Sequence, residues 1–185
     1  MNLKKLMSFT LMLTILNVFS QDISLSTLLI DKSLKENANA VIRNHEIIIE
    51  LNDYDYMTII EKRVITVLNK NGLGHLNAVA YYDPDIKIKS ISAKVYNKNG
   101  EEINEFRKKD FNDYSNSGIS LFSDDRILEL DYTPTEYPFT FEFELEKQTN
   151  STAWIYPWYP IQGYFCSTAQ SSYKIIKNKN IDLRV

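Results

Sequence analysis

Cysteine is almost absent: Cys166 is the single one in 185 residues. One thiol forms no internal disulfide, so packing must hold the fold together. Its flank, Gly163-Tyr164-Phe165-Cys166-Ser167, leads toward Tyr173-Lys174-Ile175-Ile176. That setting reads as a small buried hydrophobe on a strand rather than a nucleophile. Histidine is nearly as scarce. His45 and His75 stand in no ligand spacing with each other or with Cys166, and neither HExxH nor a paired-Cys pattern occurs. No metal and no cofactor are expected. Five glycines and five prolines leave no room for a flexible linker, and Gly72 and Gly74 read as turn glycines, not as a phosphate loop. No G-x-S-x-G elbow is present. Nor is there an excess of positive charge: 21 basic residues face 24 acidic ones, for a net of −3. Interspersed signs of that balance give no reason to expect nucleic acid or an anionic membrane as partner.

What is present begins with a leader. Lys4 and Lys5 precede an uncharged apolar run from Leu6 to Phe19, with Val18 and Ser20 placed for cleavage before Gln21. The run is short for a membrane span, so residues 1–20 read as a secretory signal, with no transmembrane segment after its removal. The expected location is therefore exported: periplasmic, outer-surface or secreted. Residues 21–44 read as a helical lead-in, with Leu25, Leu28, Leu29, Ile30 and Leu34 near one stripe and Ser24 or Ser26 as cap. Residues 45–185 read as one β-sandwich domain. Its last stretch, Ile181 to Val185, looks like the start of a strand with no closing turn, which leaves open a natural short form or the front of a longer protein.

The chain is organised around its aromatic region. Of 23 aromatic residues, 11 lie between Tyr132 and Phe165. Within it Phe139, Phe141, Phe143 and Leu145 alternate with Thr140, Glu142, Glu144 and Glu146. A period of two puts the large apolar groups on one sheet face, which must then lie on a second layer. The expected fold is all-β: a sandwich of about eight to ten mostly antiparallel strands with a short N-terminal helix. Ile47-Ile48-Ile49 and Met57 to Leu68 read as two strands joined by Asn52-Asp53-Tyr54-Asp55. Asn69-Lys70-Asn71-Gly72 and Asn97-Lys98-Asn99-Gly100 each follow a β-branched run, the pattern of a tight hairpin turn. Ile86 and Ile88 differ in parity from Ile91, Ala93 and Val95, which suggests a β-bulge near Ser90. Asn112 to Gly118 reads as a polar loop, and Tyr132 to Pro138 as a proline-restrained turn.

Two clusters invite a functional reading. Asp124, Asp125, Glu129 and Asp131 could hold calcium or act as an acid–base pair. With Arg126 among them, a solvated strand face with a local ion pair is the simpler expectation. Trp154, Tyr156, Trp158 and Tyr159 are the candidate binding residues: rings exposed on a loop stack on sugars or anchor a protein partner. The favoured expectation is that two or three of these rings turn inward at Pro157 and Pro160 and plug the end of the sandwich. No catalytic residue is assigned, because neither histidine has an evident orienting acid or a place beside Cys166.

A resemblance supports the β reading. Asn37 to Arg43, Lys62 to Gly72, Ile86 to Ile91, Ser123 to Arg126 and Leu130 to Phe139 together resemble the bacterial family known as domain of unknown function 3857. The likeness spans roughly Leu34 to Ile176. In that family the domain follows a signal peptide and precedes a transglutaminase-like domain with a papain-type Cys-His-Asp arrangement. The resemblance implies a non-catalytic, sandwich-like module of an exported cell-envelope protein, with a structural or interaction role. Its expected partner is a downstream transglutaminase-like domain, an envelope protein or a glycan; a glycan- or peptide-binding module is the alternative. No functional residue carries over.

Overall fold

The computed structural model describes residues 25–116, 124–155 and 157–181. The expected leader at 1–20 lies outside them, as does everything after Ile181. The described strands are β1 (Ala40–Asp53), β2 (Tyr56–Val67), β3 (Val79–Tyr82), β4 (Ile86–Tyr96), β5 (Glu102–Arg107), β6 (Asn112–Ser115), β7 (Arg126–Glu129), β8 (Phe139–Thr149), β9 (Cys166–Thr168) and β10 (Ser171–Lys177). Seven form one sheet in the order β10-β1-β2-β8-β4-β5, with β9 also on β1; β3, β7 and β6 form a second, smaller sheet. Every pairing is antiparallel except those of β1 with β9 and β10. The fold is all-β, as the alternation of β8 required.

The core follows from reading across the ladders. Ile42, Ile65, Phe141 and Val95 lie side by side on β1, β2, β8 and β4. Phe139, Phe141, Phe143 and Leu145 all point into a buried cluster, which Ala80 and Leu128 of the small sheet close from above. The next rows along the same face are His45–Arg63–Phe143–Ala93 and Ile47–Glu61–Leu145–Ile91, followed by Ile49–Ile59–Lys147–Ile88. A second apolar cluster, Ile49, Leu51, Met57, Ile59 and Ile181, occupies the far end. One sheet face thus carries two apolar patches with a belt of charge between them. The β4 bulge sits between Ile88 and Ser90, where the parity change placed it.

Four expectations need correction. The segment 69–72 makes no hairpin; Lys70–His75 is a 3-10 helix, with the Asn69 side chain accepting from the Asn71 N–H. The strand after β2 is not its neighbour, since β2 pairs with β8, so no tight turn is needed there. Gly72 is required by closeness instead: a Cβ would fall 2.2 Å from the Asn39 carbonyl oxygen. The second Asn-Gly does turn β4 into β5, with Gly100 at φ 91° and its N–H bonded to the Asn97 carbonyl. The lead-in is not one helix but a 3-10 turn, Thr27–Leu29, capped by Ser26, and a four-residue helix α1, Lys32–Lys35. Leu28 and Leu29 of its supposed stripe are exposed. β1 begins at Ala40 rather than His45 because Val41 and Ile42 pair with Thr66 and Ile65. Finally, the loop from Asn112 contains strand β6, whose side chains are all exposed, so no alternation reveals it.

Candidate functional site: an aromatic strap beside the sheet edge

The chain leaves β8 at the β1–β2 hairpin end and re-enters at β9, beside Ala40. The connection must therefore travel the length of β1, and its described residues, 150–155 and 157–165, do so as an irregular strap. The Thr152 hydroxyl donates to the Tyr54 carbonyl, fastening one end. Ile155 packs on the second apolar cluster. Trp158 stacks on Tyr173 at 6.2 Å and donates its indole N–H to the Ser171 hydroxyl at 3.0 Å. Further along, Thr168 Oγ1 donates to the Pro160 carbonyl at 3.1 Å, and the Asn39 N–H meets the Phe165 carbonyl at 2.7 Å.

Pinned in this way, the strap turns its other rings outward. Trp154 is 71% exposed, Tyr159 67% and Tyr164 90%, with Trp158, Ile161 and Phe165 exposed as well. Trp154, Trp158 and Tyr159 therefore form no inward plug. The segment does bend at Pro160, but Ile155 fills the inward position, and the face beneath is already closed by Ile49, Leu51, Met57 and Ile59. Of the candidate binding residues, Trp154, Trp158 and Tyr159 share this surface; Tyr156 lies outside the described residues. Exposed apolar area on this scale is unusual for a domain surface and is characteristic of contact sites.

The acidic group does not assemble. Arg126 pairs with Asp113 at 3.0 Å and with the Tyr82 hydroxyl, rather than with its acidic neighbours in sequence. Glu129 accepts from the Tyr114 hydroxyl. Among the described residues no three His, Cys, Asp or Glu side chains come together in a way that suits a metal ion.

The charged belt on the inward face of the sheet escaped sequence reading. His45 Nε2 and Glu61 Oε1 lie 3.0 Å apart, both largely shielded. Arg63 is 2% exposed; its Nη2 donates to the Leu76 and Asn77 carbonyls, and its guanidinium carbon sits 5.7 Å from the Phe143 ring centre. Burial opposes ionisation of Glu61, yet the His45 hydrogen bond and the charges of Arg63, His45 and Lys147 hold its carboxyl below the usual range. Burial lowers both Arg63 and Lys147. The signal available was Glu61 and Arg63 on the inward parity of β2, between Ile59 and Ile65. Cys166 is buried on β9, and burial pushes its thiol up despite the Ile42 backbone contact and the Arg63 charge. That is the opposite of an activated nucleophile.

A family model of a domain of unknown function with a solved structure, DUF3857, matches residues 55–185. The chain belongs to this family. Among solved structures, the DUF3857 chain is similar to a protein from Parabacteroides distasonis described as a "putative protease", at 13% identity and a TM-score of 0.47. That likeness covers 60% of this chain and 23% of the other. No curated protein matches. No helix among the described residues of the DUF3857 chain is long and apolar enough to cross a membrane.

Proposed function

We propose that this DUF3857 domain is a non-catalytic interaction module of an exported cell-envelope protein, and that the aromatic strap is its contact surface. The observation that carries the reading is the outward set of Trp154, Tyr159, Ile161 and Tyr164 on a segment anchored along its length. Anchoring matters because a contact surface already held in place loses less conformational freedom on binding than a free loop. Export is supported by the charged-then-apolar leader, and a transglutaminase-like partner domain by the family resemblance.

Binding is tested by tryptophan emission. Trp154 is expected to emit red-shifted and to be open to quencher, and its signal should move when envelope peptides or glycan fragments are added. Trp154→Ala should weaken such binding by about 2 kcal/mol or more, roughly thirtyfold, with folding stability nearly unchanged. Protected emission that ignores every probe would defeat the reading. A glycan is the second reading, favoured by the freely presented Trp154 and Tyr159 rings, which suit stacking on sugar.

The absence of catalysis has its own check. The buried, raised Cys166 thiol is expected to react with a disulfide reagent far more slowly in the folded protein than a free thiol does at neutral pH. Reaction faster than a free thiol would reopen an enzymatic role.

A further inference from the structure

Strand β10 is the last strand of the large sheet, and among the described residues none pairs with its far side. The Gln170 carbonyl accepts from His45 and the Asn178 N–H donates to Leu51, so the even-numbered residues of this stretch face β1. In a parallel ladder the alternate residues then turn their N–H and C=O away, which directs the backbone of Ile175 and Lys177 outward. Ile175 and Ile176 are exposed along this edge, Ile175 on the face of the Trp158–Tyr173 stack and Ile176 on the other. The opposite edge differs. β5 presents charges of both signs, Glu102, Glu105 and Arg107, whereas the charges on β10 are lysines alone, Lys174 and Lys177, which discourage addition of any strand that is not acidic.

Charge narrows the occupant. From Lys147 to Ile181 there is no Asp or Glu, while Lys147, Lys174, Lys177 and Lys179 lie in that span of a chain whose net charge is −3. Lys147 lies on the inward face and Lys174 is paired with Glu46 of β1, so the positive charge along this edge is that of Lys177 and Lys179, beside the apolar strap. Ile161, Phe165, Ile175 and Ile176 call for apolar partner groups, which a sugar supplies poorly and a polypeptide supplies well.

We propose that β10 is a docking edge for an extended, acidic polypeptide segment that adds to the sheet as a further strand. This rests on the reading of the strap as contact surface and specifies its partner. Main-chain bonds to Ile175 and Lys177 would provide the register, while apolar side chains on one face of the added strand meet Tyr173 and Ile175 and its acids meet the lysines.

The test uses the full chain and two synthetic peptides, one alternating valine with glutamate and one alternating valine with lysine. The glutamate peptide is expected to bind and the lysine peptide to fail. The amides of Ile175 and Lys177 should become protected from hydrogen exchange on binding. Ile175→Pro removes an outward donor without breaking the β1 ladder, and it should weaken binding at least about tenfold. Lys179→Glu should do the same without touching the backbone; if the proline variant fails to fold, this variant and the amide protection decide. An affinity that survives Ile175→Pro and Lys179→Glu but is lost in Trp154→Ala would overturn strand addition and leave the aromatic surface standing. Binding of a glycan fragment in place of the peptide would overturn it too. So would self-association that buries β10, which would make a second copy the occupant. No binding by any probe up to about 1 mM, the range of the weakest specific contacts, would overturn this inference as well.

Discussion

Phe141→Ala is expected to destabilise the domain by about 3–5 kcal/mol. The ring is completely buried, with Ile65 and Val95 beside it on the flanking strands and the Tyr132 ring 6.1 Å away. β8 is held on both sides, by β2 and by β4, along nearly its whole length. A strand clamped in this way cannot move inward to refill the space, so the cavity term is felt almost in full. Chemical denaturation measures the loss, and a change below about 0.5 kcal/mol would mean that the face of β8 does not pack as described.

Arg63→Ala should cost about as much, 3–5 kcal/mol, for a different reason. Truncation abandons the Leu76 and Asn77 carbonyls and leaves Glu61 beside buried surface without its strongest nearby cation. Acid titration adds a second reading of the same variant. Glu61 ionises more readily folded than unfolded, so its contribution is complete above the unfolded carboxylate value of about 4.3. It is lost as pH falls through the lower folded value. Without Arg63 one of the charges that lower Glu61 is gone, so its folded value moves up and acid destabilisation should begin at higher pH. A variant that loses less than about 1 kcal/mol, with an unchanged acid limb, would show that the belt is solvated.

The inward face of β8, the β1–β2 hairpin, the β4 bulge and the Asn97–Gly100 turn were all legible in the sequence, because each is set by neighbours a few residues away. The failures share a cause as well. Asn69–Gly72 carries the same local chemistry as the true hairpin, but a strand 70 residues downstream claims the edge of β2. Trp154 and Tyr159 look like core residues until the inward place is seen to be taken by Ile155. Arg63 falls on an inward parity, and its burial is offset by the carbonyls of Leu76 and Asn77, the Phe143 ring and the Glu61 charge, all brought to it at long range or across strands. Local pattern reveals strands and turns; which strand lies beside which, and what fills the last space, is decided at long range.

The parallel seam between β1 and β10 has a consequence for how the molecule assembles in time. His45 pairs with Ser171, so this seam closes a loop of most of the chain, whereas β1 and β2 meet through a two-residue turn. Long closures come late in folding, after the local pairings have paid their smaller entropic toll. They are also natural places for partial opening, being held on one side only. Exchange of the β10 amides should therefore report an opening smaller than global unfolding, separate from the clamped β2–β8–β4 centre. The edge that meets a partner would then be the most loosely held part of the sheet, and whatever docks there would finish the fold as well as bind it.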